Sequence, residues 1–184
     1  ILTENDQVNN LTINGTGSLE APGITFRVNG DLIIHAGGSF ADSNTNPSSI
    51  RFPNGEPPSV LNVDPEGVLI ANEMFVSRQL TLTANYSIDP TFLVVRRSGL
   101  LTISSSAVIN VGQDLYLLNS VALHNQGSLL ISGNLNSSGS GTPSLTNLTE
   151  GTLSFNNIDI SSSATLTNQG IVNQSGNFTN LSGV

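Results

Sequence analysis

The side chains able to do chemistry are few. The chain of 184 residues holds 13 carboxylates, five arginines and two histidines, with neither lysine nor cysteine. The lack of cysteine excludes thiol nucleophiles, disulfides and thiolate metal sites together. His35 and His124 stand alone in the sequence, with no second His or carboxylate at ligand spacing, whereas a zinc site needs three or four ligands. No metal and no other cofactor is expected. Carboxylates are densest at Asp64, Glu66, Glu73 and Asp89, where a pair could act as general acid and base on a glycoside or hold Ca²⁺. Asp64-Pro65-Glu66-Gly67 is first of all a turn sequence. The cations matter more because they are rare: Arg96 and Arg97 are adjacent, point to opposite faces of any strand they share, and lie near Arg78. Local acids are their expected partners; a cleft for an acidic polysaccharide is the functional reading. Arg78, Arg96, Arg97, Asp64, Glu66 and Asp89 are thus the candidate ligand contacts, and no catalytic set is expected.

The elements that must carry these residues are strands. Asn, Ser and Thr number 23, 25 and 16, while Ala and Glu number only 8 and 6, which disfavours helix interiors throughout. Leu, Ile, Val and Phe number 23, 14, 13 and 7, enough for a continuous core. Short stretches with alternating apolar residues recur between Gly, Asn and Ser, as at 11–13, 32–34, 68–70, 129–131 and 153–155. Two tracts break the rhythm, 41–59 and 137–144, and read as loops inserted between strands. The formal net charge is −8, and all five Arg precede residue 98. An acidic surface repels polyanions, so nucleic acid is not an expected partner. No run of 18 apolar residues exists to span a membrane.

An internal repeat organises the chain. Laying residues 122–137 over 165–180 gives seven identities, among them Leu123/Leu166, Asn125/Asn168, Gly127/Gly170 and Asn134/Asn177. A related element, Gly or Gln, then Asp or Asn, then a large apolar residue, ends at Leu32, Leu115, Leu135 and Phe178, with the missing members expected near Phe52, Phe75, Leu93 and Ile158. Ile103-Ser-Ser-Ser-Ala107 also recurs as Ile160-Ser-Ser-Ser-Ala164. These separations fit units of about 21 residues, each made of three strand-plus-turn sides of about seven. Such a unit cannot bury its apolar face alone, but coiling stacks like sides and closes a core. The expected fold is all-β, a parallel β-helix forming one β-solenoid domain over residues 1–184 or a piece of a longer one. An antiparallel sandwich is the alternative. The first residues, Ile1-Leu2-Thr3, and the last eight carry no polar cap, so homotypic stacking or continuation of the solenoid is expected at the ends.

Residues 164–178 (ATLTNQGIVNQSGNF) and 122–135 (ALHNQGSLLISGNL) resemble the Leu-x-Asn-x-Gly-x-Ile repeats of filamentous-haemagglutinin-type adhesins, clearest over residues 99–184. The resemblance implies a secreted, right-handed β-helix at the cell surface. The repeat, the low charge and the lack of a clustered catalytic constellation point to a structural or adhesive role without catalysis, with cell-surface glycans or receptors of host or neighbouring cells as expected partners. A carbohydrate-binding or polysaccharide-cleaving β-helix is the alternative function.

Overall fold

In the computed structural model the described residues are 6–20, 23–41, 48–83, 87–160 and 163–180. Among them there is no helix; every ladder is parallel, and the chain winds as a β-solenoid of about seven turns. Three faces repeat in order. The first is an 8-stranded sheet of Leu11–Ile13, Leu32–Ile34, Ser59–Val63, Gln79–Leu82, Leu100–Ile103, Ala122–Asn125, Ser144–Asn147 and Thr165–Asn168. The second and third share a 13-stranded sheet, because the long strands Val68–Val76, Ser87–Arg96, Ser128–Ser138 and Thr152–Ile160 run from one onto the other. Short strands such as Val108–Val111 and Leu115–Leu118 complete single faces.

Alternation along each strand sends one set of side chains inward, and the parallel register stacks that set coil upon coil. On the third face Phe26, Ile50, Met74, Leu93, Leu115, Leu135 and Ile158 form one column, each at most 1% exposed. Phe178 pairs in register above Ile158; its side-chain direction lies outside the described residues. On the second face Phe40, Leu69, Ile88, Ile109, Leu129 and Leu153 do the same. The first face carries Leu32, Leu61, Leu82 and Ile103, then changes to Asn125, Asn147 and Asn168 in the same column.

The repeat motifs acquire reasons here. Asn134 donates its backbone N–H to Asp114 Oδ1 (2.7 Å), and Asn177 likewise to Asn157 Oδ1 (2.8 Å). The side-chain oxygen of one coil thus satisfies the backbone of the next. That oxygen occupies the space a Cβ would need at Gly133 or Gly176, which is why Gly precedes Asn and an apolar residue in those coils.

Three expectations need correction. Leu32 is not in the column of Leu115: it opens a strand on the first face, whereas Leu115 opens one on the third. The step from Leu32 to Leu61 takes 29 residues, while Leu61 to Leu82 takes 21. The surplus is about one side, so counting in equal units loses one face. Within 41–59, Ser49–Phe52 is a strand with Ile50 and Phe52 fully buried; residues 42–47 lie outside the described residues. The 137–144 tract is no insertion either. Ser137 and Ser138 pair with Leu117 and Leu118, Ser144 pairs with Ala122, and only a tight turn at 139–143 remains. Ser-rich sequence forms strand there because the coils on either side supply hydrogen-bond partners whatever the side chain. Of the interpolated positions, Leu93 and Ile158 lie in the third-face column; Phe52 is buried beside it, and Phe75 points outward. Of the residues on which the uncapped ends rest, Ile1-Leu2-Thr3 and 181–184 lie outside the described residues, and Phe178–Asn180 is a strand.

Candidate functional site

The outer surface of the third face gathers four of the five arginines. Arg27 and Arg51 are paired in register on neighbouring coils, and Phe75 follows in the same outward row. Arg96 ends the long strand of the next coil, and Arg97 occupies the turn beyond it with φ 63°. The Cζ of Arg51 lies 4.8 Å, and that of Arg96 4.4 Å, from the centre of the Phe75 ring, within cation–π range. Arg96 Nε donates to Ser77 Oγ (3.3 Å), and Arg51 Nε is buried without a hydrogen-bond partner. The four arginines, with Pro53, Asn54 and Ser77, line a concavity of about 150 Å³. Burial lowers the Arg96 pKa below its ordinary value; Arg51 and Arg97 lower it further by like-charge repulsion, and Glu73 opposes them.

The acids expected to neutralise these arginines do not do so. Among the described residues, His35–Asp64 is the one pair at ion-pair distance. Glu73, the nearest acid in register, accepts instead from Ser49 Oγ (2.8 Å). Compared with known protein families, curated proteins and solved structures, the chain matches none.

The remaining candidates are dispersed. Arg78 is 3% exposed and points into the solenoid, donating to the carbonyls of Val28, Asn29 (2.8 Å) and Pro57 (3.0 Å). It locks the long coil to its neighbour and does not line the arginine concavity. Asp64 caps a different corner, where Oδ2 lies 2.7 Å from His35 Nδ1 and Oδ1 accepts from Asn62 Nδ2 (2.7 Å). These two hydrogen bonds hold the Asp64 pKa below its ordinary value. Glu66 is the third residue of the turn closed by Gly67 N–H donating to Asp64 O (2.9 Å), with φ 68°. Asp89 accepts from Asn110 Nδ2 (3.0 Å) on the outside of the next coil. A wider depression of about 740 Å³ lies around Leu130, Ser154, Asn156 and Asn173 and is lined by no ionisable residue, so it offers nothing for acid–base work.

Reading by spacing missed Arg27, Arg51 and Phe75, and it missed the His35–Asp64 pair. Arg27 and Arg51 are solitary in the sequence; only the coil register sets them side by side. A search for residues one coil apart would have found both pairs, provided the long coils were allowed for.

Proposed function

We propose that the chain is a non-enzymatic structural or adhesive module that works outside the cell, as part of a stalk, sheath, fibre or adhesin. The observation that carries this reading is the unbroken inward column from Phe26 to Ile158. Each coil is held by its neighbours and the stack makes a spacer of roughly 34 Å for about seven steps at the strand spacing. Its outside is rich in uncharged polar residues, suited to display and not to turnover. Further coils of the same chain, or a second copy, stack on its ends. Immunogold labelling of intact, unpermeabilised cells that make the protein tests the role. Label on surface stalks or fibres is expected; label that appears only after the cells are opened overturns it.

A further inference from the structure

We propose that the Arg27–Arg51–Phe75–Arg96–Arg97 surface binds the carboxylates of an acidic, uronate-bearing polysaccharide lying along the solenoid axis. Arg27 and Arg51 stand directly opposite each other on adjacent strands, an arrangement that is unfavourable for like charges unless something neutralises them. No carboxylate of the described residues sits at ion-pair distance from any of the four, and Arg51 Nε keeps a buried, unused donor. The missing partner is therefore an anion from outside.

Geometry narrows the class. Phe75 fixes two of the guanidinium groups through its ring, so little side-chain freedom is left to lose on binding. A planar guanidinium fork matches a carboxylate bidentately. A concavity of about 150 Å³ is smaller than the pockets that enclose whole drug-sized ligands; it suits one acidic sugar unit, with the rest of the ligand following the row of arginines from coil to coil. A long, densely charged polyphosphate fits badly, because the chain as a whole carries −8 and repels it beyond the patch.

This deepens the extracellular reading, which supplies the setting in which such a glycan is met. Surface labelling tests that setting and binding in solution tests the patch, so the two can fail separately. The experiment is calorimetric titration of the full chain with an oligogalacturonate, with a sulfated oligosaccharide that carries no uronate and a neutral oligosaccharide as comparators. The uronate is expected to bind, with affinity falling as salt rises. R51Q/R96Q is expected to weaken binding by about tenfold or more while the exposed variant R27Q weakens it less. R27Q and R97Q, both at exposed positions, carry the test if the double variant does not fold. No uronate binding, binding unchanged in the variants, or binding of the uronate-free sulfated oligosaccharide alone each overturns the proposal.

Discussion

Asn125 donates from Nδ2 to Oδ1 of Asn147 one coil above (2.7 Å), and Asn147 repeats the bond to Asn168 (2.8 Å). The two lower amides are fully buried in a column that is otherwise leucine and isoleucine. Each also reaches backbone carbonyls: Asn125 that of Thr152, Asn147 those of Gly151 and Ile171. The ladder has a direction, and its first member shows it, since Asn125 Oδ1 is buried with no partner. The residue beneath is Ile103, which has no donor to offer.

Two substitutions follow from that direction. Asn147→Leu removes the acceptor of Asn125 and the donor to three oxygens, and is expected to cost about 2–3 kcal/mol in urea unfolding. Ile103→Asn places an amide donor under Asn125 Oδ1. It is expected to destabilise by about 1–2 kcal/mol less than Leu82→Asn one coil below, where no acceptor waits. Equal losses at the two sites would refute the directional ladder.

Glu66 illustrates a residue whose backbone matters more than its charge. In register it stands above Gly37, which has φ 77°, and both occupy the third position of the same turn. A left-handed conformation costs a side-chain-bearing residue about 1–2 kcal/mol, of which glycine returns some through unfolded-state entropy. Glu66→Gly is therefore expected to stabilise by up to about 1 kcal/mol in the same assay. A loss of stability would show instead that its carboxylate contributes.

Legibility followed the register. The Leu115–Leu135–Ile158 column could be read from sequence because an Asx residue precedes each apolar one: Asp114 and Asn157 accept a backbone N–H of the next coil, and Asn134 accepts from Asn157 Nδ2. The Ile-Ser-Ser-Ser-Ala repeat was equally informative: Ile103 ends a first-face strand and Ile160 a third-face strand, as sides of about seven residues require. Leu32 was misplaced because one coil is longer, and nothing local in 41–59 distinguishes added turn residues from the Ser49–Phe52 strand they flank. The arginine patch was half visible. Arg96 and Arg97 are neighbours in sequence, but Arg51 and Phe75 join them only through pairing of distant strands, and outward residues carry no hydrophobic pattern to reveal a register.

The His35–Asp64 contact gives an acid-sensitive corner. Hydrogen bonds from His35, chiefly, and from Asn62 hold Asp64 below its ordinary value near 3.8. A carboxyl whose pKa is lower folded than unfolded stabilises the fold fully above the unfolded value and loses that contribution as pH falls through the folded one. Melting temperatures of the parent and Asp64→Asn should therefore differ most at neutral pH and converge as pH drops below about 4. A constant difference across that range would remove the linkage.

Arg78 tests whether a buried cation can hold a solenoid together without a carboxylate. Its guanidinium reaches carbonyls from two chain segments, Val28 and Asn29 on one side and Pro57 on the other, where the long coil departs from the 21-residue spacing. Burial lowers its pKa, while Glu56 and Asp31 oppose that by their charge; arginine's intrinsic basicity keeps it protonated. Three carbonyls that would otherwise face a void are satisfied by one planar group. Arg78→Met keeps much of the apolar stem but strands those oxygens, and a loss of about 2–4 kcal/mol is expected. Lysine supplies charge without the fork: from a single nitrogen it cannot reproduce the two-nitrogen pattern by which Nη1 serves Asn29 and Pro57 while Nη2 serves Val28. Arg78→Lys is accordingly expected to recover less than half of the loss. Full recovery by lysine would mean that charge alone, and not the shape of the guanidinium, ties the long coil to the one below.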